Sequence, residues 1–248
     1  MKIILNKNNL IKFIKNEKKI GFIPTMGAIH AGHLSLFKKS VNQCNKTIVS
    51  IFINKPQFNR KSDYKKYPRN LKKDIKLIKK TNVDFLYIPK HKEIYYKGIN
   101  KKIKINAFSK DLCGKTRARH FESIADVVDR FIKIIKPSRI YFGNKDMQQL
   151  IIINDFIKKN HPKTKVIGCK TVRENNGVAL SSRNLLLSNK EKLIASKIYK
   201  LISANKKKLL KNKNYLKNVK LKIFKLGVKK IDYLKVVNIN KIIKSYKN

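Results

Sequence analysis

The chain has 248 residues, enough for one large domain or for a large and a small one. Its apolar fraction of 42% excludes a disordered segment, and no apolar run reaches the roughly 18 residues that a membrane helix needs. Lys and Arg number 61 against 14 Asp and Glu, a formal net charge of +47, but the basic residues run through the whole chain rather than along one tail or helix face. That spread reads as compositional drift rather than as a specific nucleic-acid surface, and its field would still draw in anionic substrates.

The N-terminal "MKIILNKNNLIKFIKN" has only a short apolar patch broken by Asn and Lys, without the continuous apolar core and small-residue cleavage site of a signal peptide. Short Val/Ile/Phe-rich runs then predict strands at Ile20–Ile23, Thr47–Ile53, Val83–Ile88, Arg139–Phe142 and Lys165–Thr171. Between them, helical periodicity predicts helices near His33–Asn42, Leu71–Thr81, Ser123–Ile135 and Asp146–Lys159. Nearly all-apolar strands alternating with helices predict an α/β fold: a Rossmann-like, doubly wound parallel sheet covered on both faces. Beyond Asn184 the pattern shifts. Ser188 is a good N-cap for a helix, and "KIDYLKVVNINKII" predicts a late strand. This gives a first domain of residues 1–184 and a small C-terminal α+β domain of 185–248. Cys44, Cys113 and Cys169 show neither metal spacing nor a disulfide framework, which predicts a reducing, cytoplasmic location.

In open parallel sheets, ligands bind beyond the carboxyl ends of the strands. The stretch "PTMGAIHAGH" follows the strand Ile20–Ile23 and leads into a helix starting near His30–His33. A helix start carries free N–H groups and partial positive charge, so it suits phosphate. Gly27 and Gly32 let the backbone approach a ligand, and His30 and His33, three apart, share one side of the first turn. Taken singly, one histidine would cap the helix and the other would be solvated. As a Gly-flanked pair they can donate to phosphate oxygens and to charge that develops in a transition state.

"HAGH" resembles the His-x-Gly-His signature of the nucleotidyltransferase superfamily, and "PTMGAIHAGHLSL" resembles the narrower pantoate–β-alanine ligase family. Five further blocks agree in order and spacing: "SIFINKPQF" (50–58), "YPRNLKKD" (67–74), "RARHF" (117–121), "FGNKDMQQL" (142–150) and "TVRENNGVALSSRN" (171–184). The resemblance covers roughly residues 20 to 187. A small cytidylyl- or adenylyltransferase would share the His-x-Gly-His turn, but nothing in that turn demands "PTMG", "PQF" or "RARHF".

The resemblance implies a two-step reaction. Pantoate and ATP give pantoyl-adenylate and pyrophosphate, and β-alanine then gives pantothenate and AMP. It implies ATP as substrate with Mg²⁺, a homodimer, and neither a membrane nor a specific nucleic-acid partner. Carried over by position, Met26, Gly27, Ala28, Ile29, His30, Ala31, Gly32 and His33 line the ATP site, with His33 as the catalytic histidine. Gly143, Asn144, Lys145 and Asp146 continue that site. Lys145 offers a charge for phosphate, and Asp146 an acceptor for ribose hydroxyls or a helix cap. Val172 offers its backbone to adenine, while Leu180, Ser181, Ser182 and Arg183 form a phosphate clamp. Gln57 and Gln149 bind pantoate, and Gln57 also serves β-alanine.

Departures from the family pattern are Lys55 for Pro, Cys113 for Glu, Asn144 for Glu, Met147 for an aromatic residue, and Lys73 where a second acid often precedes Asp74. The last leaves no metal ligand to assign, so Mg²⁺ is expected to arrive with ATP. The resemblance also implies a shortened C-terminal domain.

Overall fold

A computed structural model describes residues 1–212, 214–240 and 242. It divides into two compact units, Met1–Thr171 and Val172–Asn248.

The first unit is a parallel sheet of six strands: β1 (Lys2–Ile4), β2 (Ile20–Thr25), β3 (Lys46–Ile51), β4 (Phe85–Tyr87), β5 (Arg139–Gly143) and β6 (Lys165–Cys169), in the order β1-β4-β3-β2-β5-β6. Its helices are α1 (Lys7–Ile14), α2 (Ala31–Val41), α3 (Lys61–Lys66), α4 (Leu71–Lys79), α5 (His91–Ile94), α6 (His120–Ile135) and α7 (Met147–Asn160). The five predicted strands and four predicted helices all form, with ends shifted by a few residues.

Alternation along the strands explains the double winding. On β2, Ile23 joins Val49, Ile51 and Leu86 in a buried cluster with Leu36 and Phe37 of α2 and Ile78 of α4. Its neighbour Phe22 points the other way, against Phe131 of α6, with ring centroids 5.3 Å apart. Helices therefore cover both faces, and the strands are apolar on both sides, as a parallel sheet requires. From β2 the chain winds outward through β3 to β4, then crosses to β5 and β6 on the other side. The switch in winding lies between β2 and β5, which pair at Gly21–Arg139 and Phe22–Ile140. Such a switch point opens a crevice at the carboxyl ends of the strands.

β1 and α1 were not foreseen. β1 has only three residues, too few for alternation to register, and α1 is announced by one polar signal, the Asn6 side chain accepting from Asn9 N at 2.8 Å.

The second unit begins with a turn in which Arg173 bridges Ala179, Glu174 N donates to Val178 O, and Gly177 takes φ +89°. A Cβ on Gly177 would lie 2.1 Å from the Tyr199 ring, so that ring alone demands glycine here. Ser196 Oγ also donates to Asn176 O at 2.8 Å. These contacts tie residues 172–184 to α8 (Asn189–Ala204) and set the unit boundary at 171/172 rather than at the expected 184/185. Ser188 caps α8 as predicted, in a capping box with Glu191, and those bonds lower the Glu191 pKa. α9 (Lys206–Lys211) and α10 (Tyr215–Lys225) close a small core on Leu209, Val219 and Ile223. The predicted late strand over 230–243 forms no ladder among the described residues; residues 241 and 243 lie outside them.

Candidate active site

After β2 the chain makes a tight loop into α2. Thr25 Oγ1 donates to Ser50 O at 2.7 Å and accepts from Gly27 N at 3.2 Å. Gly27 and Ala28 both take left-handed backbone, φ +79° and +50°. Gly27 suits that conformation, whereas Ala28 costs about 1 kcal/mol there. The buried carboxylate of Asp74, in the first turn of α4, holds the loop in this shape. Its Oδ2 accepts from Ala28 N at 2.8 Å and its Oδ1 from Ile29 N at 2.7 Å. A side chain on Gly27 would also meet Asp74 Oδ2 at 2.9 Å. The sequence analysis weighed Asp74 only as a metal ligand and missed this role. The available signal was an acid placed at Asn70-x-x-x-Asp74, just inside a helix start.

The two histidines cap α2 reciprocally. His30 is the N-cap, and its Nδ1 accepts from Gly32 N at 3.1 Å. His33 Nδ1 in turn accepts from His30 N at 3.3 Å. The rings lie 4.0 Å apart and 34° off parallel. Capping and function are thus not alternatives. With both Nδ1 atoms accepting, each neutral ring carries its proton on Nε2, as a donor at the helix start. Burial, then His30, then Lys145 push the His33 pKa down to about 3. Burial and Lys145 lower that of His30. Both rings stay neutral near pH 7. Lys145, just past the β5 end, thus lies near enough to act on both rings after β2 across the switch point.

At the β5 end, Asn144–Asp146 form a single 3₁₀ turn before α7. A Cβ on Gly143 would meet only Lys145 N, at 4.0 Å, so the floor of the crevice is open there. Lys145 Nζ pairs with Asp146 Oδ1 at 2.9 Å. Asp146 makes no side-chain cap bond to α7, so the capping alternative fails and its carboxylate stays beside Lys145. Asn144 turns its side chain away towards β6. Its Oδ1 is buried without a partner and would lie 2.6 Å from a Cβ on Gly168. Of Asn144, the backbone is what remains to serve a ligand.

Beyond β3, a 3₁₀ turn carries Lys55–Gln57. The buried Asn54 directs it: Asn54 Nδ2 donates to Gln57 Oε1 and to Ser123 O, each at 3.1 Å, while Oδ1 accepts from Tyr95 Oη at 2.6 Å. His120 Nδ1 bonds Gln57 O at 2.8 Å. On α7 the adjacent glutamines divide. Gln148 is buried and fully used, accepting from Cys113 N and donating to Phe108 O and Asp111 O. Gln149 is half-buried, its amide available for a ligand. Cys113, at a departure from the family pattern, thus anchors Gln148 through its backbone.

In the second unit, Val172 O accepts from Leu180 N at 3.0 Å. Ser181 Oγ accepts from Arg183 N at 3.3 Å, Ser182 is buried, and Arg183 is exposed.

Among the described residues, no group of three or more His, Cys, Asp or Glu could hold a metal ion. Asp74, the carboxylate nearest the loop, is occupied by two amides. These donors do not fit a resident metal.

The family model for pantoate-beta-alanine ligase matches residues 2–248. The chain belongs to the pantoate–β-alanine ligase family. The pantothenate synthetase of Endomicrobium trichonymphae is 40% identical over 256 residues, covering 100% of this chain and 90% of its relative. That of Caldicellulosiruptor saccharolyticus is 38% identical over 235 residues, covering 93% and 84%. A solved pantoate-beta-alanine ligase from Francisella tularensis, complexed with beta-gamma ATP and beta-alanine, superposes with a TM-score of 0.84 at 36% identity, covering 96% of this chain and 90% of its own. The predicted fold, enzyme class and family hold.

Proposed function

We propose that the chain joins pantoate to β-alanine through pantoyl-adenylate. A pantoate carboxylate oxygen attacks the α-phosphorus of ATP, the bond to the β-phosphate oxygen breaks, and pyrophosphate leaves. The amine of β-alanine then attacks the acyl carbon, loses a proton and expels AMP. Neither step needs a protein nucleophile, so the protein has to position reactants and stabilise phosphate charge.

The observation that carries this reading is the pair of neutral, mutually capped imidazoles at the start of α2, beside Lys145. A neutral Nε2–H donor, fixed in advance, stabilises charge growing on phosphate oxygens without reorganising. Two neutral amides, Gln57 and Gln149, suit a carboxylate that must stay nucleophilic rather than be locked in an ion pair. The ATP bound in the Francisella relative supports ATP as the substrate. ATP enters as its Mg²⁺ complex, the metal belonging to the substrate. The parts of Val172 and of Leu180–Arg183 in ATP binding rest on the family resemblance. So do the homodimer and the cytoplasmic location.

Pyrophosphate release that depends on pantoate and ATP but not on β-alanine tests the first step. His33→Ala should slow that step by about 100-fold or more. It should slow the reaction of preformed pantoyl-adenylate with β-alanine far less, because the pyrophosphate site is then empty. A folded variant that forms adenylate at the normal rate removes His33 from the chemistry.

A further inference from the structure

Gln57 can present either end of its amide to a ligand, and the ends are opposites: an oxygen that accepts or an NH₂ that donates. The surroundings choose between them. Asn54 is 2% exposed and all its side-chain bonds are accounted for. Its Oδ1 accepts from Tyr95 Oη, so both protons of its Nδ2 must donate, one to Ser123 O and one to Gln57 Oε1. With Gln57 Oε1 taken, the Gln57 NH₂ is the end left for the crevice.

Two groups fix this order from opposite ends of the Asn54 amide, Ser123 O as an acceptor and Tyr95 Oη as a donor. A phenol that keeps its proton is a donor to Asn54, and burial, then Asp126, push the Tyr95 pKa well above its ordinary value. The ring is fixed as well. His91 stacks on it at 4.8 Å, and the Arg130 guanidinium lies over its other contacts at 4.6 Å from the centroid. Arg130 is held by Asp126 at 2.7 Å, and it ties down the chain on either side of Tyr95 by donating to Ile94 O and Gly98 O. Ser123, Asp126 and Arg130 all belong to α6, so one helix braces both ends of the relay.

We infer that Tyr95 is a positioning residue which, together with Ser123 O and through Asn54, holds the polarity of the Gln57 amide and so commits that position to acceptor groups of the substrate. The groups it takes are a carboxylate or hydroxyl oxygen, as pantoate offers, and not an ammonium. Pantoate oxygens, or the carboxylate end of β-alanine, can sit there; the amine of β-alanine cannot. The inference rests on the reading that Gln57 lines the acid-substrate pocket.

Tyr95→Phe keeps the ring and removes the donor. Asn54 Oδ1 then has no partner, only Ser123 O still orients its amide, and its hold on Gln57 loosens. The Michaelis constant for pantoate should rise about five- to tenfold, the size of one hydrogen bond, with that for ATP unchanged. In Gln57→Ala, adding Tyr95→Phe should raise the pantoate constant no further, because the relay acts only through Gln57. Gln57→Glu keeps an acceptor for Asn54 but turns a carboxylate to the crevice, and should bind pantoate worse than Gln57→Ala.

A second readout needs no substrate. The Asn54 side-chain amide protons, held by Ser123 O and Gln57 Oε1, should exchange slowly with water in the parent protein and at least tenfold faster in Tyr95→Phe. Unchanged Asn54 exchange overturns the relay whatever the kinetics show. Faster exchange with additive effects of Tyr95→Phe and Gln57→Ala overturns the link to substrate. If Gln57→Ala itself leaves pantoate binding intact, it is the pocket assignment that falls, and the commitment to pantoate falls with it, while the exchange data still judge the relay.

Discussion

Asp74→Asn is the sharpest test of how the histidine loop is built. Both carboxylate oxygens accept loop amides, at 2.7 and 2.8 Å, in a site that is 3% exposed. Asn can accept one of those N–H groups; its own NH₂ must then face the other, donor against donor. A hydrogen bond to a charged acceptor contributes about 1.5–3 kcal/mol, and a buried donor left unpaired adds about 1 kcal/mol or more. The expected loss is about 2–4 kcal/mol, or about 5–15 °C in Tm for a chain of this size. The hold on Ala28 at φ +50° then weakens, and relaxation of the loop moves the start of α2. Displacing reacting groups by about 1 Å costs on the order of 100-fold in rate. Thermal unfolding and pantoate-dependent pyrophosphate release measure the two effects. A variant with the parental Tm and rate would refute this account of Asp74.

Other outcomes follow from the same geometry. Gln57→Ala and Gln149→Ala should each raise the Michaelis constant for pantoate about fivefold or more with that for ATP unchanged, whereas Gln148→Ala, which loses three buried bonds, should show its main effect as a lowered Tm. His33 has a folded pKa of about 3, below its unfolded value of 6.5, so its contribution to stability is present above pH 6.5 and lost as pH falls towards 3. Denaturant titrations should therefore show a shallower acid loss between those limits in His33→Gln than in the parent. Binding to RNA should be sequence-blind and lost by about 0.3 M salt; sequence-specific binding that survives there would overturn the reading of the charge as drift.

The sequence made the sheet legible because its strands are buried on both faces and stand out as apolar runs, each followed by a helix with its own period. It made the site legible because the site lies at strand ends, where Gly27, Gly143 and the paired histidines interrupt those runs. Single contacts between distant segments were not legible. Asp74 meets Ala28 across 46 residues, and Asn54 meets Tyr95 across 41, and no local pattern names the distant partner of either. The domain boundary was misplaced for the same reason: residues 172–184 read as a loop ending the first domain, but Gly177 and Asn176 pack on α8. Among the described residues the late strand does not form, because β-branched composition around Val236 is only a tendency and no described partner strand completes it.

The charge of +47 takes on a specific meaning once the acids are located. Most of the 14 acidic residues are committed to particular bonds. Asp74 holds the histidine loop, Asp84 takes Thr47 N and Lys46, Asp126 takes Arg130, Asp129 takes Lys133 and His161, and Glu191 caps α8. The surplus of Lys therefore faces solvent without opposing charge and gives a broad positive field. Such a field concentrates every anion alike and cannot tell pantoate from other acids or ATP from other phosphates. On the proposed reading, discrimination falls to uncharged groups: the Nε2 donors of His30 and His33, and the amides of Gln57 and Gln149. Adding positive charge near the crevice does not disturb this division, since Lys145 already acts to keep both imidazoles neutral. A diffuse cationic surface and a neutral donor site are thus compatible in one chain, with attraction set by the first and chemistry by the second.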